Sequence, residues 1–96
     1  MEVLALRSDL NNSLGLDLPE TATIEVLEQT LAGRINSLIL EDFSRLVQLL
    51  YRVDVDEGIL KKLLKEDPGA DAGLLIARLI MERQWQKIAT RRKFRS

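Results

Sequence analysis

Neither cysteine nor histidine occurs in the chain. The first absence rules out a disulfide framework and thiolate nucleophiles, and the two together remove the commonest ligands of zinc, copper and haem iron. Histidine is also the usual general base near neutral pH, so acid–base catalysis would have to rest on carboxylates alone. Aromatics are scarce, at one Trp, one Tyr and two Phe, which leaves a core to be built from aliphatic side chains. No window approaches the roughly 20 apolar residues of a membrane helix. The opening residues, Met1-Glu2-Val3-Leu4-Ala5-Leu6-Arg7, lack the basic start and apolar run of an export signal. The expectation is a cytoplasmic protein with no membrane contact.

What is present is charge and leucine-rich periodicity. The 96 residues amount to one domain, and a chain of this size buries only about 60–65% of the surface its unfolded form exposes. The formal charge of −1 conceals a polarity. Residues 1–57 carry eleven acids and four bases, for −7, whereas residues 58–96 carry four acids and ten bases, for +6.

From Thr21 to Val53, apolar residues recur at Ile24, Leu27, Leu31, Ile35, Leu38, Ile39, Phe43, Leu46, Val47, Leu50 and Val53. Most are three or four apart, the spacing of one stripe on an α-helix. Continuity of phase across Gly33 predicts a single helix of roughly 30 residues, about 45 Å long. A break at residues 33–37 is the alternative, because a mid-helix glycine costs about 1 kcal/mol relative to alanine and Asn36-Ser37 can cap a new helix. Gly33 is equally suited to a close approach of a neighbouring helix. Asp17 and Thr21 are the candidate caps at its start.

Before it, Val3, Leu4, Leu6, Leu10 and Leu14 fit a short amphipathic helix fraying at Asn11, Asn12, Ser13 and Gly15, either packed on the bundle or loose over residues 1–16. After it, Asp54 or Asp56 can cap a short helix whose Ile59, Leu60, Leu63 and Leu64 face one way, with Asp67-Pro68-Gly69 closing it. Asp71 can cap a last helix running from Ala72 to about Arg92. Leu74, Leu75, Ala77, Ile80, Met81 and Ile88 supply its buried face, and residues 92–96 form a frayed basic tail.

Candidate chemistry is thin. An EF-hand loop begun at Asp54 would require a ligand, a glycine and a glutamate where Gly58, Ile59 and Lys65 stand, so capping explains these acids better than a metal. Glu41 with Asp42, and Glu25 with Glu28, read as a solvated helix face, and no glycine-rich phosphate loop occurs. Ser37-Leu38 resembles the attachment site of acyl carrier proteins, but Asn36 stands where that motif has aspartate. No cofactor is expected and the chain is read as a non-enzyme. Tyr51 and Trp85 suit a core edge, and Asp42 with Arg45 a surface helix pair. Arg83, Lys87, Arg91, Arg92, Lys93 and Arg95 could meet phosphates, with Trp85 or Phe94 stacking on a base. They also complement the negative end of a helix dipole, or the acidic half of a second subunit.

The stretches Leu38-Ile39-Leu40-Glu41-Asp42-Phe43, Leu49-Leu50-Tyr51-Arg52-Val53-Asp54-Val55 and Leu79-Ile80-Met81-Glu82-Arg83-Gln84 resemble a group of short, all-helical bacterial proteins with no assigned activity. The resemblance, over residues 20–95, implies a compact stand-alone bacterial protein and says nothing of chemistry. The expected architecture is a single all-α domain of about four helices around the long element. Part of that helix outruns its partners, which predicts self-association as a two-fold dimer through Leu31, Ile35, Ile39 and Phe43. The leading function is a non-enzymatic protein–protein interaction or scaffold module, and the runner-up is a small nucleic-acid-associated protein using the basic C-terminal residues.

Overall fold

The computed structural model describes residues 2–20, 23–66, 69 and 71–93. These form five helices: α1 (Val3–Leu14), α2 (Ile24–Glu41), α3 (Phe43–Val53), α4 (Glu57–Glu66) and α5 (Ala72–Lys93). Thr21, the Asp67-Pro68 pair, Phe94 and Arg95 lie outside the described residues.

The stripe expected to form one long helix is two helices, and the break falls at Asp42 rather than near Gly33. Asp42 leaves the helical region with φ −153° and ψ 73°. Its backbone N–H still donates to the Leu38 carbonyl (2.9 Å), ending α2, while its Oδ1 accepts from the Arg45 N–H (3.2 Å) and starts α3. One residue therefore ends one helix and caps the next. The pairing expected between the Asp42 and Arg45 side chains is replaced by this backbone cap. Gly33 sits on an exposed part of α2 with nothing within 4 Å of where a Cβ would be, so it marks neither a break nor a close approach.

The close approach occurs instead at Gly73, where α5 begins. A Cβ there would lie 2.5 Å from Cγ and Oδ1 of Asn36 and 2.6 Å from the Ala32 carbonyl oxygen. The missing side chain lets the first turn of α5 rest on α2, and Asn36 locks the crossing. Its Oδ1 accepts from the Gly73 N–H (3.1 Å), and its Nδ2 donates to Asp71 Oδ1 (2.9 Å). Asp71 in turn accepts from the Leu74 N–H (3.2 Å), capping α5 as expected.

The hub of the fold is α5, which touches all four other helices and packs most extensively on α2. Leu27, Leu31, Ala32 and Ile35 of α2 meet Ile76, Ala77, Ile80 and Met81 of α5 in one buried cluster. Ile76, Gly73 and Gln84 belong to the buried face of α5, whereas Leu74 and Leu75 are only partly covered. The first helix is packed: Leu6 and Leu10 are fully buried. Gly15 ends α1 in the left-handed conformation (φ 64°), which glycine adopts without steric cost. The following connection folds back, with the Leu18 N–H donating to Asn11 Oδ1 (2.8 Å) and the Arg7 guanidinium donating to the Leu18 carbonyl (3.2 Å).

The short α4 buries no residue completely and Ile59 stays exposed, so it lies over the bundle rather than in it. Its cap is Asp56, whose Oδ1 accepts from the N–H groups of Gly58 (2.7 Å) and Ile59 (3.2 Å). Asp54, the other candidate, adopts φ 64° and ends α3 by donating its N–H to the Leu50 carbonyl (3.0 Å).

Candidate functional site

The structure divides the expected contact residues. Leu31 and Ile35 are buried under α5 and have no surface to offer a partner, and Ile39 is partly buried against the same core. Phe43 is outside. The reason is the turn at Asp42, after which α3 points Leu46 and Val53 inward and leaves Phe43, Val47 and Tyr51 outward. These three are four residues apart, so they line one flank of the helix. Their exposures are 61%, 41% and 81%, and Leu40 at the end of α2 is 86% exposed. Together they make the most conspicuous apolar surface among the described residues.

Beside that flank, α3 and α4 leave a groove of about 400 Å³. Phe43, Val47, Leu50, Tyr51, Val55 and Leu60 line it together with Asp54, Glu57 and Lys61. A mainly apolar lining that includes a few charged groups is compatible with a protein-binding surface. Tyr51 carries a phenol that can pack its ring while its hydroxyl stays wet, as aromatic anchors at interfaces do.

The predicted cationic set is also divided. Arg83, Lys87 and Arg91, at i, i+4 and i+8 of α5, point into a cleft of about 610 Å³ between α1, α3 and α5. Arg52 of α3 joins them there, together with Asp9, Ser13, Gln84 and Thr90. Arg83 donates to Asp54 Oδ2 (3.2 Å) and to the Asp54 carbonyl (3.3 Å). Arg91 pairs with Asp9 Oδ1 at 2.9 Å. Lys87 donates to the Val53 carbonyl (2.6 Å), one of the free carbonyls that end α3, and Arg52 to the Ser13 carbonyl (3.1 Å). Arg92 turns away, paired with Glu2 (2.8 Å) and lying 5.6 Å from the Trp85 ring centroid. Lys93 is exposed, and Arg95 falls outside the described residues. Trp85 is partly buried against the core, while Tyr51 is not.

Of the carboxylates weighed for acid–base work, Glu28 pairs with Arg78 (3.1 Å) and Asp42 serves as a cap. Among the described residues no group of three or more acidic side chains is placed to hold a metal ion, and no helix is long and apolar enough to cross a membrane. Sequence reasoning missed Val47 and Tyr51 as surface residues and Arg52, Asp9 and Gln84 as cleft residues. Their convergence is tertiary, and only the i, i+4 spacing of the α5 cations had a local signal. No family model matches this chain, and no curated protein or solved structure is significantly similar to it.

Proposed function

We propose that the protein is a non-enzymatic interaction module that associates with a second copy of itself through the outer face of α3 and the groove beside α4. The observation that carries this reading is the aligned exposure of Phe43, Val47 and Tyr51 on one helix flank. Exposed large apolar groups cost solubility unless a partner covers them, and a two-fold interface needs only one such patch, used twice. An antiparallel crossing centred on Val47 would set Phe43 of one copy against Tyr51 of the other. A bacterial setting is part of the same proposal, on the strength of the likeness noted above.

The nucleic-acid reading draws less support, because Arg83, Arg91 and Arg92 each face a carboxylate of the same chain. That pairing lowers the positive field available to a polyanion.

Light scattering on size-exclusion fractions tests the proposal. A dimer that persists at high salt, and that Val47→Glu converts to monomer while helix content is retained, is the expected result. A monomer at every concentration up to the solubility limit overturns it. Neutralising Arg91, Arg92 and Lys93 together should leave the dimer intact, because none of them lies on the α3 face.

A further inference from the structure

Among the described residues α4 is held less firmly than any other helix. It buries no residue completely. The other helices are each tied to α5 by polar bonds: α1 through Asp9, α2 through Asn36 and Glu28, and α3 through the Val53 carbonyl and Asp54. Among the described residues no side chain of α4 bonds to another helix, and its Lys62–Glu66 pair (3.9 Å) is internal. α4 also stands off both of its neighbours. On one side is the groove of about 400 Å³ toward α3, lined by Leu60. On the other is a groove of about 650 Å³ toward α5, lined by Ile59, Leu63 and Leu79. A helix with so little burial opens before the core does.

The chain enters α4 through a turn that can act as a hinge. Among the described residues Asp54 is the one non-glycine with positive φ (64°). A non-glycine residue keeps that left-handed conformation only where its surroundings hold it there. Arg83 holds it twice, from Nε to the Asp54 carbonyl (3.3 Å) and from Nη2 to Asp54 Oδ2 (3.2 Å). Lys87 grips the preceding Val53 carbonyl (2.6 Å). The cap of α4, Asp56, lies beyond this point, so the helix keeps its cap when the turn moves.

We propose that α4 is a strap, loose in the monomer and hinged at Asp54, that closes on a second copy whose Phe43 fills the groove between α3 and α4. This rests on the self-association through the α3 flank proposed above. The antiparallel crossing that sets Phe43 against the other copy's Tyr51 brings its ring to the end of the groove formed by Tyr51, Val55 and Leu60. There it gives Leu60 apolar contact that α4 lacks within one molecule. Only closed α4 supplies that wall. Closing and association are therefore coupled, and whatever loosens the hinge weakens the dimer by the same factor.

The test is amide hydrogen exchange on the full chain across a dilution series, with the mass of the same samples read by light scattering. In dilute monomer, the amides of residues 61–66 should exchange as a group about tenfold or more faster than those of Leu31, Ile35 and Ile80. In the dimer their protection should rise by about tenfold or more. Arg83→Gln lies outside the α3–α4 groove and removes both bonds to Asp54. It should speed α4 exchange in the dimer and raise the dimer dissociation constant by one common factor, about two- to tenfold, the range of a typical net hydrogen bond. Exchange of α4 together with the α2–α5 core overturns the strap whether or not a dimer forms. A dimer that leaves α4 exchange unchanged overturns the closing while self-association stands. An Arg83→Gln chain that alters one of the two quantities without the other, or neither, overturns the coupling through the Asp54 turn. A chain that stays monomeric overturns self-association, and the closing with it, even where α4 exchanges early.

Discussion

Adding one methyl group at two glycines of this chain should change stability in opposite directions. Gly33 lies in α2 with nothing within 4 Å of the Cβ position. Alanine there gains helix propensity at no packing cost, so Gly33→Ala should stabilise by about 0.8–1 kcal/mol. At Gly73 the same methyl would stand 2.5 Å from Asn36 and 2.6 Å from the Ala32 carbonyl oxygen. The asparagine can rotate, but only by giving up its bonds to the Gly73 N–H and to Asp71. The carbonyl belongs to the backbone of a packed helix and cannot move alone. Overpacking of this kind costs about 1–3 kcal/mol, and a lost hydrogen bond about 0.5–1.5 kcal/mol more. Propensity returns only about 0.8–1 kcal/mol of that sum, so Gly73→Ala should destabilise by about 0.5–3.5 kcal/mol. Chemical denaturation followed by circular dichroism at 222 nm reads both, and each kcal/mol amounts to about 4–8 °C in melting temperature for a domain of this size. Adding Asn36→Ala to Gly73→Ala removes the first obstacle and leaves the carbonyl, so the double variant should regain part of the loss. A Gly73→Ala variant as stable as the parent would refute the α2–α5 crossing described here.

Three further outcomes follow from the packing and the caps. Leu10→Ala should cost about 2–5 kcal/mol in denaturant melts, because Leu10 is fully buried where α1 meets the core. A loss under 1 kcal/mol would show that α1 is not docked. The hydrogen bond from the Asn36 side chain, followed by that from the Leu74 N–H, holds the Asp71 carboxyl below its ordinary range. A depressed carboxylate stabilises the folded state fully above its unfolded value and loses that contribution as pH falls through its folded one. Stability should therefore decline below about pH 4, and Asp71→Asn, which keeps a capping oxygen, should make that acid limb shallower. In the self-associating form, Val47→Glu should shift mass without changing the stability of the monomer by more than about 0.5 kcal/mol, since Val47 is exposed there.

Features with a local cause were legible in the sequence. The caps of α4 and α5 follow from Asp56 and Asp71, whose carboxylates need only the next three residues. The helical class follows from spacing alone. The break at Asp42 was hidden because a single interposed residue scarcely disturbs the phase of a broad apolar stripe. The same breadth hid the division of α3, since spacing cannot tell which of Phe43, Leu46, Val47 and Leu50 turns inward once the helix axis bends. Gly33 drew attention because its propensity cost is local, whereas nothing local marked Gly73. What requires Gly73 is Asn36, 37 residues earlier in the chain. The cationic cleft was half legible: Arg83, Lys87 and Arg91 announce one face of α5, but Arg52, Asp9 and Gln84 reach it only through the fold.

The charge polarity of the chain, which suggested an acidic half receiving the basic half of another subunit, is largely met within one molecule. Asp9, Glu2, Asp54 and Glu28, all from the acidic half, pair with Arg91, Arg92, Arg83 and Arg78 of α5. Each of these pairs is at least partly exposed and contributes little, typically about 0–1 kcal/mol. Their common partner is α5, so together they favour the arrangement in which α1, α2 and α3 surround it. The outer flank of α3 takes no part in this pairing and is left apolar. Salt therefore separates the two surfaces of the protein. It screens the cleft, where the ion pairs lie, and spares the α3 flank, where association would be hydrophobic. A self-association that weakened with salt would place the contact on the charged side of the molecule, and one that held would place it on Phe43, Val47 and Tyr51.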